Sequence, residues 1–413
     1  MYGRAICKMA LLPIARYQKD WDEARETHHK LYAPLIYEVL RKVADGVPTL
    51  LTDVENFLPE RFETRNPHQE MKEYKDVSAS LNHPSGKSFA DILLKYHDPK
   101  DVNKSIMTGD VGHIRGLICA LVNAFGNRIF APDQDAFFKN FYKFLKRLFN
   151  YDGFVAGEKI KRSNGKLCWG QKNAGQHVVA WSTGGFIKKT KMLYCPYCNS
   201  ETIYEIPKAG NPNDTYKSAL DHFLPRSKYP FLGISLYNLV PSCTRCNSSY
   251  KHEKDPLCLI ATPQNSAEVR NYWPAHPYEV DLYDAFRFEA VKDSGVRDPE
   301  CCYNGVPVRL QYCQNQISEA RKTEDLMEGV FRTTKTYNHL FLHEAIGFME
   351  RVGRFINKDT QNLLRELHGY GISLDELLLG FERQKVCFLR ERHSKLKCDL
   401  LDFARKNSGC SSN

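Results

Sequence analysis

The chain has 413 residues, a formal net charge of +9, and a composition that is 42% hydrophobic and 26% charged. That length supports two or three domains with cores of their own. No window approaches the roughly 18 uninterrupted apolar residues of a membrane helix, which excludes helical transporters and channels. The positive balance favours polyanionic partners, though weakly. The fourteen cysteines sit in a chain long enough to fold without disulfide staples, so they suggest metal binding in a reducing, cytoplasmic setting.

The N-terminal run MYGRAICKMALLPIARYQ has a short apolar stretch broken by Lys8 and no small-residue cleavage site, so it reads as mature sequence. Asp20 to Ala44 carries Leu35, Ile36, Val39, Leu40 and Val43 at helical spacing, with Pro34 expected to kink the helix or start a new one. From Leu58 to Asn103 the chain is polar and irregular, and a long loop or partner-binding arm is expected, with a short helix near Phe89 to Tyr96. A second helix begins near Gly112, and a third follows Ala131-Pro132-Asp133 with Phe137, Phe138, Phe141, Leu145 and Leu148 on one face. The intervening lysines read as its solvated side. Asn164-Gly165 predicts a type I′ turn in a hairpin from Glu158 to Trp169. Its Lys159, Lys161, Arg162 and Lys166 suit either a phosphate backbone or an edge that discourages strand pairing. Beyond Pro256 a loop leads back to helices over Ile317 to Phe331, Tyr337 to Arg354, Asp359 to His368 and Leu374 to Arg405.

The chemistry concentrates in the middle of the chain. Cys195-Pro-Tyr-Cys198 and Cys243-Thr-Arg-Cys246 are two C-x-x-C knuckles, able to give four thiolates to one structural Zn²⁺. The segment between them is longer than a zinc ribbon needs. It holds a strand-like run ending in Asp221-His222, a turn at Pro225, and a second strand through Leu239 and Val240. The second knuckle and Asn247 then open a helix through Lys251.

Asp221-His222, Asn238-Leu239 and Cys243-x-x-Cys246-Asn247 resemble the signature of HNH endonucleases, in the branch that carries C-x-x-C zinc pairs. The resemblance covers about Tyr194 to Asp255. A weaker likeness in His276-Pro277-Tyr278, Tyr337-Asn338-His339 and the basic C-terminal segment extends it to HNH subunits of bacterial anti-phage systems of the Septu and retron-linked kind, which act with an ABC-type ATPase. The resemblance implies metal-dependent cleavage of nucleic acid, with DNA the expected substrate. It assigns His222 as general base, Asp221 and Asn247 as ligands of a catalytic Mg²⁺ or Mn²⁺, and Asn238 as support for His222 or its loop. Asn247 stands where the commonest pattern has His. Its neutral oxygen suits a hard ion; His252 is the alternative ligand. Adjacent strand residues point to opposite faces, so Asp221 and His222 can share a site only if the chain bends. Arg226, Lys228, Arg245 and Lys251 are candidates for phosphate contact or ordinary surface charge.

The expected architecture is α+β: a mainly helical scaffold around a zinc-stapled ββα-metal module. Four regions are expected: 1–110 helical with the polar arm, 111–190 helical with the basic hairpin, 191–256 the nuclease module, and 257–413 mainly helical. The competing reading is a non-catalytic zinc-stapled protein that binds nucleic acid or scaffolds a partner.

Overall fold

The computed structural model describes residues 18–46, 67–156, 159–163, 166–170, 183–190, 192–208, 211–279, 286–293, 295, 302–303, 306–314, 322, 324–355, 378–379 and 393–407. The described chain is mostly helical with small antiparallel sheets, an α+β fold. Its helices are α1 (Gln18–Asp45), α2 (Pro67–Asn82), α3 (Pro84–Lys95), α4 (Val111–Phe125), α5 (Ala136–Leu148), α6 (Tyr151–Ala156), α7 (Thr183–Thr190), α8 (Ser266–Tyr272), α9 (Thr333–Leu340), α10 (Leu342–Phe355) and α11 (Ser394–Asn407). Three two-stranded hairpins pair β1 (Lys159–Ser163) with β2 (Lys166–Gly170), β3 (Glu205–Lys208) with β4 (Asn211–Lys217), and β5 (Ala219–His222) with β6 (Leu239–Ser242). A further sheet has the order β7 (Phe286–Lys292), β9 (Val306–Gln314), β8 (Cys302–Tyr303). No described helix is long and apolar enough to cross a membrane.

The strongly periodic helices form as their sequences suggest. In α4, Asp110 caps the N-terminus by accepting from the His113 amide at 2.8 Å, and Ile114, Leu117, Ile118, Leu121 and Val122 are buried. In α5, Asp135 accepts from the Phe137 and Phe138 amides, and Phe138, Phe141, Leu145 and Leu148 face the core. Helix α1 runs through Pro34 without interruption, where a kink or a new start was expected.

Two expectations change. The described part of the polar stretch before residue 103 carries two helices: α3, longer than the short helix expected near Phe89 to Tyr96, and α2, where a long loop was expected. Val77, Leu81, Phe89, Ala90 and Leu93 bury one side, His83 caps α3 through Ser85, and Pro84 occupies its first turn. Polar residues cover the outside, which thins the apolar signal. Beyond Pro256 the chain forms the short helix α8 and then the β7-β9-β8 sheet before the helices α9 to α11. Phe288 with Ala290, and Val308 with Leu310, are buried at a spacing of two, the strand period. The region expected as a helix at 359–368, and Arg383, Lys385, Arg390 and Arg392, lie outside the described residues, as do the side chains of the basic hairpin.

The core is continuous from α1 to α11, and it positions the central segment from both sides. On the N-terminal side, Trp21 of α1 donates to the Tyr237 hydroxyl at 3.1 Å, His28 meets the Ile234 carbonyl at 2.8 Å, and the Leu236 amide donates to the Met107 carbonyl. On the C-terminal side, the Tyr337 hydroxyl of α9 donates to the Cys198 carbonyl at 2.6 Å, and the His393 amide, ahead of α11, donates to the Asn199 carbonyl.

Candidate functional site

The first knuckle is a tight turn. The Asn199 amide donates to the Cys195 carbonyl at 2.8 Å. Asn199 itself has a φ of 47°, a left-handed conformation that asparagine tolerates better than most residues. The second knuckle lies between β6 and a short π-helical turn, Arg245–Lys251. Together they bring the sulfurs of Cys195, Cys198, Cys243 and Cys246 within 4.8 Å of one another, all buried. Cys198 Sγ and Cys243 Sγ stand 3.8 Å apart. Four thiolates bound tetrahedrally at about 2.3 Å would place neighbouring sulfurs about 3.8 Å apart. The cluster therefore fits a metal ion such as zinc. Hydrogen bonds from the other three thiols and from Ser200 hold the Cys198 thiol well below its ordinary range.

Between the knuckles, β5 and β6 pair with Asp221 opposite Val240 and His222 opposite Leu239. The π-helical turn follows, so the order is strand, strand, helix. The strands are joined by residues 223–238, and Asn238 organises that loop. Its Oδ1 accepts from the Leu224 amide at 2.8 Å and its Nδ2 donates to the Leu224 carbonyl at 3.0 Å. A longer contact from Nδ2 reaches the Leu232 carbonyl at 3.4 Å. Asn238 is buried and fully engaged in loop backbone, while His222 is held by another part of the same loop.

His222 Nε2 lies 2.9 Å from the Gly233 carbonyl. A carbonyl only accepts, so Nε2 carries the hydrogen and Nδ1 keeps its lone pair. The edge of the Tyr151 ring packs against the imidazole, with centroids 4.4 Å apart and planes at 69°. Burial is the main influence on the His222 pKa and, aided by the charges of Arg226 and Lys251, pushes it down to about 3 against the opposing Gly233 hydrogen bond. Burial thus favours the neutral ring. Gly233 makes the contact possible by close approach: a Cβ there would meet the Pro230 carbonyl at 3.1 Å and the Phe149 carbonyl at 3.3 Å.

Asp221 and His222 point apart, as strand alternation requires. Asp221 turns toward the knuckles and is 1% exposed. Its Oδ2 accepts from the Tyr197 hydroxyl at 2.8 Å, and its Oδ1 meets Lys251 Nζ at 2.9 Å. Lys251 Nζ also donates to the His222 carbonyl at 2.6 Å. Both Asp221 and His222 nevertheless line one cleft of about 610 Å³, together with Asn247, Arg226, Lys146 and Tyr151. Asn247 is half-buried, and its backbone carbonyl accepts from the His252 amide at 2.8 Å. His252 is exposed on the rim of the same cleft. By donor type, the Asp221 carboxylate and the Asn247 amide oxygen suit a hard divalent ion. The Asp221 carboxylate already has a cation against it.

The four basic residues expected near phosphate separate. Arg226 lines the cleft, paired with Asp152 at 3.2 Å and lying 5.0 Å from the Tyr151 ring centroid. Lys228 pairs with buried Asp255 at 3.4 Å. Arg245 reaches back to Ser200 and Glu201 at the first knuckle. Lys251 is 1% exposed and presents no charge to the surface, which corrects its expected place as a surface phosphate contact. Sequence reasoning missed Tyr151 and Lys146, which come from a distant segment without a motif, and Tyr197 within the first knuckle and Gly233 in the loop after β5, whose types carry no signal there. The motif-like downstream residues are structural. His276 is buried against Phe223, with ring centroids 4.2 Å apart, and Asn338 clamps both backbone groups of Leu310.

Comparison with known proteins gives one link. The chain is 38% identical over 58 residues to the Septu protein PtuB of Bacillus thuringiensis, a match that covers 13% of this chain. The chain thus spans about a quarter of the length of the curated relative it matches, 23%. No family model matches the chain, and no solved structure matches it.

Proposed function

We propose that the chain is a metal-dependent nuclease of the HNH type, stapled by a structural zinc and acting in anti-phage defence. The observation that carries the reading is the state of His222. Its Nε2 is committed to the Gly233 carbonyl, leaving a neutral Nδ1 in a cleft that Asn247 and Asp221 also line. A fixed tautomer with an available lone pair is what a general base for water requires. The strand–strand–helix order between the cysteine knuckles supports the same reading, as does the partial likeness to a Septu protein.

The roles follow from the residues. His222 Nδ1 accepts the proton as water attacks the phosphodiester. Asp221 and Asn247 are the oxygen donors for Mg²⁺ or Mn²⁺, whose charge offsets that of the phosphate and the leaving oxygen. Asn238 keeps the 223–238 loop in place, and with it the Gly233 carbonyl that orients the base. Arg226 and Lys146, on the cleft wall, are placed to meet backbone phosphates of nucleic acid, with DNA the favoured substrate. Cys195, Cys198, Cys243 and Cys246 hold zinc as a folding device, because four thiolates leave no open position for chemistry. A partner ATPase within a defence module completes the reading. The Lys251 ammonium on Asp221 favours the alternative, a zinc-stapled binding protein without catalysis.

Cleavage assays separate the two. Purified protein is incubated with plasmid, linear duplex, and single-stranded DNA or RNA under Mg²⁺, Mn²⁺ or EDTA. The expected result is metal-dependent cleavage that His222→Ala lowers by about a hundredfold or more, within the range assigned to acid–base groups, with zinc content and nucleic-acid binding retained. Wild-type rates in His222→Ala, or no cleavage under any metal with binding intact, overturn the nuclease reading.

A further inference from the structure

Lys251 and Asp221 form a buried ion pair beside the cleft. The Lys251 ammonium bridges Asp221 Oδ1 at 2.9 Å and the His222 carbonyl at 2.6 Å, and both side chains of the ion pair are 1% exposed. Lysine is almost never buried to this degree without a dedicated partner. Here the partner is the one carboxylate of the cleft that faces the zinc knuckles. The ammonium arrives from the last residue of the π-helical turn whose third residue is Asn247. One short segment therefore carries both an oxygen donor for a cation and a cation of its own.

We propose that Lys251 is an internal counter-cation of Asp221 that competes with the divalent ion: metal binds at Asp221 only as the Lys251 ammonium leaves it. The inference rests on the reading of Asp221 as a metal ligand. Three points support it. A primary ammonium supplies one positive charge and hydrogen bonds to two oxygens, the same electrostatic service that a small hard cation gives a carboxylate. Two cations on one carboxylate oxygen repel, and in a buried site that repulsion is poorly screened. Finally, Asp221 Oδ2 accepts from Tyr197, so turning the carboxylate to offer the ion an oxygen away from the lysine breaks that bond. Release is feasible because Lys251 ends its helical turn, where the chain reverses at His252 with a φ of 47°, and its four-carbon stem can carry the ammonium to solvent. Asp221 then exchanges one positive partner for another and is never left buried and unpaired.

The test measures metal binding, using zinc-loaded full-length chain and Mn²⁺ as the probe. Isothermal titration compares wild type, Lys251→Met, Lys251→Arg and the double variant Lys251→Met with Asp221→Asn. Lys251→Met is expected to bind Mn²⁺ at least about tenfold more tightly than wild type, Lys251→Arg to show no gain, and the double variant to lose the gain. Lys251→Met should melt lower than wild type without Mn²⁺ and recover with it, because a ligand specific to the folded state stabilises it. Should Lys251→Met fold poorly, lysine labelling of wild type followed by mass spectrometry gives the same answer. Labelling of Lys251 is expected to be slow without Mn²⁺ and to rise severalfold at saturation. Equal Mn²⁺ affinity in folded wild type and Lys251→Met, or labelling unchanged at saturation, overturns the inference. If metal-dependent cleavage persists alongside that result, the nuclease reading stands and only the counter-cation role falls. If no protein binds Mn²⁺, both fall.

Discussion

At the scale of single residues, the site depends on small groups that fix other groups. Asn238 is the clearest case. Replacing it with Ala leaves the Leu224 amide and carbonyl without their partners inside the core, and unsatisfied buried groups cost about 1–3 kcal/mol each. A melting temperature lower by several degrees is expected, with a fall in cleavage, because the loop that carries Gly233 loosens. Calorimetry and single-turnover kinetics check the pair; a stable variant with unchanged kinetics would remove Asn238 from the site. A free imidazole predicts activity falling below about pH 6.5. The burial of His222 moves that limb to lower pH, and a neighbouring bound cation pushes the same way. Rates should therefore show no His222 titration between pH 7.5 and 5.5. The cluster of four cysteines was legible because motif spacing is local. The burial of Lys251 was not, since its partner lies thirty residues away in sequence and a lysine in a basic helix reads as surface by default.

At the scale of elements, the knuckles set where β5 and the π-helical turn sit. Cys243→Ser removes one sulfur of the cluster and its contact with Cys198 Sγ. Expected results are loss of bound zinc by elemental analysis, a lower melting temperature and lost cleavage. A zinc-free yet fully active preparation would contradict this. Gly233→Ala probes the loop: its Cβ would crowd two backbone carbonyls at 3.1 and 3.3 Å, displacing the carbonyl that orients His222. Reduced cleavage with near-wild-type zinc content is the expected signature. The long helices α4 and α5 could be read from sequence because their apolar residues recur over several turns. Helix α2 escaped because polar residues dominate its sequence and thin the apolar pattern, whereas α3 was legible in part, near Phe89 to Tyr96. The β7-β9-β8 sheet escaped because strand alternation in RFEAV is easily lost among charged residues. The hairpin β3–β4, inserted between the first knuckle and β5, carries no motif at all.

At the scale of the whole molecule, the core encloses histidines kept neutral by burial. His28 and His97 are pushed down to about 4, and His276 to about 3, in each case chiefly by desolvation. The unfolded chain protonates these residues near pH 6.5, above the folded values. Below pH 6.5 the unfolded state therefore binds more protons, and stability falls as pH falls through the window from 6.5 toward 4. Each residue contributes a slope of up to about 1.4 kcal/mol per pH unit there. Denaturant unfolding at pH 7.5, 6.0 and 5.0 should show a progressive loss that His97→Gln partly relieves; a flat profile would contradict the assignment.

The knuckle at Cys195 is finished by groups from far downstream: the Tyr337 hydroxyl on the Cys198 carbonyl, and the His393 amide with the Ser394 hydroxyl on Asn199. During synthesis these arrive long after the knuckle itself. A ribosome that has made the first knuckle must add nearly two hundred residues before the turn receives its outer layer, and domains fold as their parts emerge. The first knuckle thus stays without its outer layer until Ser394 has been made. Release of Asn199 from its downstream cap by a stop ahead of Thr333 should leave a nascent chain that surrenders zinc readily to a chelator.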